Sequence, residues 1–217
     1  MKNLTGILLI SFVTLFAYPT QAQTVGIKGG LNLATMLAKM DQQTYSNDFT
    51  MNPGFHVGLT VDVPINEFLS FEPGILLSTK GLKFEPEEMG GTVIAKEILY
   101  YLDIPLTLKA SHHLSDNLKI FAAAGPYVGI GLSGKYTMTT EAEGNVEKEE
   151  IDVIWGSDPE TDHFKRLDTG LTFSGGVEIR SILLGVSYDL GLNNIESNQE
   201  THLAKNRVLR FSVGYRF

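Results

Sequence analysis

The sequence predicts an all-β fold, an eight-stranded antiparallel up-and-down transmembrane barrel with short periplasmic turns and long extracellular loops. Three observations carry that prediction. Residues Asn206 to Phe217 alternate apolar Leu209, Phe211, Val213, Tyr215 and Phe217 with polar or small Arg210, Ser212, Gly214 and Arg216, the period of two of a strand with one apolar face. Eight segments of strand character follow one another along the chain, and the links between them alternate strictly between long and short. A bare alternating strand finishing on an aromatic residue invites edge-to-edge aggregation in water, whereas a closed barrel in lipid has no edge and gives the apolar face hydrocarbon to meet.

Before the first strand, Lys2 precedes a 12-residue, nearly unbroken apolar run from Ile7 to Tyr18, and Thr20-Gln21-Ala22 offers small residues to a peptidase. That is the pattern of a secretory signal peptide, too short to span a bilayer as a helix. Residues 1–22 are therefore expected to be removed, leaving 23–217 as the barrel domain. The 217-residue chain has no cysteine, which excludes a lipidated cysteine, a disulfide framework and any thiolate metal site. Past residue 22 no apolar run approaches the roughly 18 to 20 residues of a membrane helix, so a membrane fold has to be a barrel. Hydropathy close to neutral is what alternation between lipid and lumen produces.

The strand segments are Val25 to Ala34, Gly54 to Val63, Phe68 to about Lys80, Ile98 to Ala110, Leu118 to about Thr137, Asp168 to Ile179, Ile182 to Leu192 and Arg207 to Phe217. Most reach the roughly 9 to 11 residues of a tilted transmembrane strand. Short links occur at Pro64-Ile65-Asn66-Glu67, Ser111 to Asn117 and Arg180-Ser181; long ones span Thr35 to Pro53, Gly81 to Glu97, Met138 to Leu167 and Asn193 to Asn206. An up-and-down barrel with both termini in the periplasm predicts this order, and a soluble sandwich gives no reason for it. The faces agree. Phe55, Val57, Leu59, Val61 and Val63 oppose His56, Gly58, Thr60 and Asp62; Ile182, Leu184, Val186, Tyr188 and Leu190 oppose Gly185, Ser187 and Asp189. Lipid takes the first set of each pair. Outward aromatics then form an outer girdle (Phe55, Tyr100, Tyr188) and an inner one (Phe71, Phe217). Glycines inside the strands (Gly26, Gly29, Gly30, Gly125, Gly129, Gly131, Gly134, Gly175, Gly176) are expected to relieve crowding in a narrow lumen.

The phrases Gly29-Gly30-Leu31-Asn32, Glu72-Pro73-Gly74, Tyr101-Leu102-Asp103-Ile104-Pro105-Leu106, Ala124-Gly125-Pro126-Tyr127 and Gly214-Tyr215-Arg216-Phe217 give the mature chain a resemblance to the porin-family outer-membrane proteins of the Bacteroidota, the group called PorT-like. The resemblance implies an eight-stranded barrel of the general OmpA and OmpX type. It carries over no catalytic residues and does not imply a pore.

Candidate chemistry is concentrated in the charges of the inward face: Lys28, Asp62, Glu72, Asp103, Lys109, Glu178, Asp189, Arg210 and Arg216, with His56 beside them. Buried charges are costly unless paired, so acids and bases are expected to join across the lumen as a structural network, and eight strands leave room for little else. The net charge is −8, and the segment from Glu141 to Asp162 alone holds nine acids against one base, Lys148. An acidic balance argues against nucleic acid as a partner. A solvated outer loop is the favoured reading of that segment over a calcium site, because no spaced ligand set is present. Trp155, the only tryptophan, and Phe164 are its candidates for contact with a surface partner through the loop 138–167. Tyr215 and Phe217 are the expected signal to the barrel-assembly machinery. No cofactor or metal is implied, Asp162-His163 lacks a serine in a nucleophile setting, and His112, His113 and His202 lack the spacing of a metal pair. Outer-membrane lipid is the expected surrounding. The rival readings are a soluble calycin-like carrier with its apolar face inward, a small-solute porin and an outer-membrane lipid-modifying enzyme.

Overall fold

The structure, a computed structural model, describes residues 23–40, 43–44, 49–85, 87–88, 91–142, 145–198 and 202–217. The expected signal peptide lies outside the described residues. Among the described residues twelve strands occur in chain order: β1 (Thr24–Met40), β2 (Gln43–Thr44), β3 (Phe49–Thr50), β4 (Asn52–Pro64), β5 (Leu69–Phe84), β6 (Glu87–Glu88), β7 (Gly91–Ser115), β8 (Leu118–Ala142), β9 (Asn145–Asp152), β10 (Leu167–Ile179), β11 (Ile182–Gly191) and β12 (His202–Arg216). Eight of them make the wall. β4, β5, β7, β8, β10, β11 and β12 follow β1 around the ring by antiparallel pairing, and β12 closes back on β1 from Gly26↔Arg216 to Met40↔His202. No wall strand is left with an unpaired edge along the span, which is the condition for crossing hydrocarbon.

The period of two decides which side chain meets lipid. On β4, Phe55, Val57 and Leu59 are exposed while His56 and Thr60 are buried. On β11, Ile182, Leu184, Val186 and Tyr188 are exposed and Asp189 is 1% exposed. Across the molecule the pattern of a water-soluble protein is inverted. Large apolar residues face outward, and Asn32, Lys80, Asp103, Lys109, Asp168 and Arg210 are buried. An apolar exterior around a charged interior fits a lipid solvent and rules out the soluble carrier, whose apolar face would have to turn inward. Gly125, Gly129, Gly131 and Gly134 lie on the inner face of β8, whereas Gly29 and Gly175 fall on the outer one.

The strands run further outward than their apolar bands. β8 continues through Ala142 and turns back as β9, which pairs with it from Lys135↔Asp152 to Ala142↔Asn145. Much of the expected loop 138–167 is thus a ribbon. At the periplasmic end β7 extends to Ser115, so His112 and His113 belong to a strand, and Asp116 and Asn117 alone make the turn. The β10–β11 turn places Arg180 at φ 54°, the left-handed region that two-residue hairpin turns demand, and its amide donates to the Asn117 carbonyl at 2.9 Å.

Candidate functional site

The inward faces of the eight wall strands place their charges in two storeys. The lower storey, toward the periplasm, gathers Arg216 of β12, Lys109 of β7, Asp62 of β4, Glu72 of β5 and Glu178 of β10. Arg216 bridges Asp62 at 2.8 Å and Glu178 at 3.2 Å and also pairs with Glu72. Lys109 reaches Asp62 at 2.9 Å, Glu178 at 3.3 Å and Glu72 at 3.5 Å. Two cations are therefore shared among three carboxylates, with Lys28 adding a looser contact to Glu72 at 4.0 Å. Lys119 meets Glu178 at 3.7 Å from the rim.

The upper storey is drier. Lys80 of β5 sits between Asp103 and Asp168, 2.8 Å from each. Its ammonium also lies 4.6 Å from the ring centroids of Tyr101 and Tyr127, the distance at which a desolvated cation and an aromatic face attract. Arg210 joins Asp103 at 2.6 Å and pairs with Asp189. Asn206 and Tyr127 donate to Asp168 at 2.8 Å and 3.2 Å, and Thr172 donates to Asp189 at 2.6 Å. His56 links the storeys, with one ring nitrogen 2.7 Å from Asn32 and the other 2.9 Å from Ser212. Every charge expected on the inner face lies in one of these storeys. Lys80 and Asp168 were not among those candidates, yet both are essentially inaccessible. The signal that finds them is parity: Lys80 is an even number of residues from Glu72, as Asp168 is from Glu178.

Above the upper storey the lumen is closed by a small apolar cap. Tyr101 meets Trp155 edge-on at 5.6 Å, and Trp155 meets Phe164 at 6.4 Å. Met36, Leu99, Ile195 and Ala204 complete the cluster. Trp155 lies over Gly131, where a Cβ would come within 2.4 Å of its ring, and Arg166 donates to the Gly131 carbonyl at 2.9 Å. Trp155 and Phe164, the candidates for contact with a surface partner, are packed into this cap rather than displayed on the loop. Phe164 is 8% exposed and Trp155 is half-buried against the barrel mouth, because burying these rings on Tyr101 removes them from water. Among the described residues of the loop 138–167, the exposed large apolar ones are Met138, Val146, Ile151, Ile154 and Leu167.

His163 is exposed and its Nδ1 accepts from the Ile154 amide at 2.9 Å. Among the described residues no group of three or more His, Asp or Glu is arranged to hold a metal ion.

Residues 21–197 match the family described as the outer membrane protein beta-barrel domain. The chain belongs to this family. Outer-membrane β-barrel proteins of this kind are integral to the membrane, consistent with the apolar girdle and charged lumen described above. No curated protein matches the sequence. Among solved structures this outer-membrane β-barrel is similar to OprG from Pseudomonas aeruginosa, at 12% identity and a TM-score of 0.45 over 90% of this chain and 96% of that one. It is similar to Neisserial surface protein A at 13% identity and 0.43, over 89% and 95%. It is also similar to Ail of Yersinia pestis at 13% identity and 0.40, over 90% and 99%.

Proposed function

We propose that the protein is a non-enzymatic surface barrel whose lumen is a structural plug and whose outer loops carry its interactions. The single observation behind this reading is the stacking of two ion-pair storeys beneath the Tyr101–Trp155–Phe164 cap. A solute would have to displace buried salt bridges, and removing one partner of such a pair costs about 3–5 kcal/mol. A small-solute porin would need a continuous wet path instead. Planar-bilayer recording on refolded protein tests the choice: no steady open level is expected, and a reproducible one would remove the plug from consideration.

Three finer expectations belong to the same reading. The PorT-like, Bacteroidota character rests on the phrases around Tyr101–Leu106 and Ala124–Tyr127. A signal peptide cleaved after Ala22 directs the chain across the inner membrane. Tyr215 and Phe217, packed edge-on at 5.3 Å and both outward, serve as the signal to the assembly machinery. A role in catalysis is disfavoured by the engagement of His163 with its own loop backbone.

A further inference from the structure

Outside the apolar girdle, the extension of β7, the β8–β9 ribbon, the segment 153–164 and residues near Glu196 and His202 enclose a cleft of about 440 Å3, within the size range of small-molecule sites. Its lining mixes apolar surface from Ile151, Val153 and Phe164 with the carboxylates of Glu97 and Glu196. Glu97 stands on β7 beyond Tyr100 of the outer girdle and is 7% exposed. Its Oε1 has no hydrogen-bond partner among the described residues. Buried polar atoms are ordinarily satisfied, so an orphan on a residue that lines a cleft points to a missing partner. The contrast with the lumen sharpens the point. There each buried carboxylate meets a lysine or arginine, whereas no lysine or arginine lines this cleft among the described residues.

We propose that the cleft binds a small organic cation, a primary ammonium on an apolar or aromatic stem, with the head between Glu97 and Glu196 and the stem against Phe164, Val153 and Ile151. The ammonium supplies the donors that Oε1 lacks, and the stem covers apolar surface that now faces water. The inference is independent of whether the lumen conducts.

Burial, with the nearby Glu196 carboxylate second, pushes Glu97 up to about 8. The empty cleft therefore holds Glu97 protonated at neutral pH, and a bound cation favours its ionised form. Binding then releases a proton, so affinity must rise as pH climbs toward that value. The other titratable groups facing the cleft are Tyr136, Asp152, Asp162, His163, Glu196 and His202, and a Glu97→Gln variant separates the contribution of Glu97 from theirs.

The test is titration calorimetry on the full refolded barrel in detergent micelles, with empty micelles as the blank. Phenethylammonium is the probe, and 2-phenylethanol and phenylacetate are its neutral and anionic counterparts. Wild type is expected to bind the cation at least about tenfold more tightly than the alcohol, with the cation's affinity rising about tenfold between pH 6.5 and 8.5. Glu97→Gln should abolish both the preference and the pH slope while keeping the alcohol's affinity and the heat-modifiable mobility of a folded barrel. Should that variant fail to fold, Glu196→Gln is expected to weaken the cation preference by several-fold. Equal affinity for all three probes, or a preference and slope untouched by the glutamine variants, would overturn the proposal.

Discussion

Lys80 illustrates how one side chain holds the barrel together from inside. Its ammonium neutralises Asp103 and Asp168 at once, at 2.8 Å each. Lys80→Met removes the cation but leaves both carboxylates sealed, with Asp103 keeping only Arg210 and Asp168 only neutral donors. The expected loss is about 3–5 kcal/mol, read as a lower urea midpoint for unfolding from lipid vesicles; an unchanged midpoint would argue against the ion-pair account. On the opposite face Val186 is 45% exposed toward lipid in the middle of β11. Val186→Arg puts a charge in hydrocarbon, and a cost of about 2–4 kcal/mol is expected in the same assay. At this scale the sequence was largely readable, because inward and outward residues alternate and a charge at an inward position has nowhere to go but the lumen. Lys80 and Asp168 escaped because they stand at the ends of the segments where the sequence alternation is visible, Phe68 to about Lys80 and Asp168 to Ile179, where it offers fewer neighbours to count. Which acid meets which base was not readable at all, since that depends on the register between strands distant in sequence, such as Arg210 and Asp103.

Among the elements, the β8–β9 ribbon is the one that composition concealed. Residues 133–142 of β8 carry threonine, lysine and glutamate rather than an apolar face. Outside hydrocarbon a strand has no need of one, so the period-two signal fades where the lipid stops. The cap below the ribbon was hidden for a related reason: an aromatic in an acidic stretch looks exposed until the barrel mouth that receives it is known. Gly131 is the receiving position, and its lack of a side chain is what lets Trp155 lie flat on the wall. Gly131→Ala should lift the ring. Because Trp155 is the only tryptophan, emission spectroscopy reports on it directly, and a red shift with the barrel still folded is the expected result. An unshifted spectrum would mean that the cap tolerates the methyl group and that the close packing is not required.

As a whole the molecule is a closed ring, and closure was the part of the fold most legible beforehand. The even strand count and the alternation of short and long links leave few other ways to bury so many outward Leu, Val, Phe and Tyr residues. A complete cylinder with an apolar exterior should stay with the membrane pellet through alkaline carbonate washing and should migrate differently on a gel before and after boiling. Release by the wash would contradict the outward placement of Phe55, Val57 and Leu59. The ring also has a height. Ten residues of β8, 133–142, rise past its last outward leucine, Leu132. At about 3.3 Å per residue and a tilt near 40° they lift Ala142 roughly 25 Å clear of the lipid. Ions in physiological saline damp a charge within about 8 Å, so the negative residues high on the ribbon, such as Glu147 opposite Thr140, and the anionic headgroups beneath them are electrically strangers. An approaching molecule therefore encounters the tip's charge as a separate landmark, standing off from the cell rather than blended into its surface.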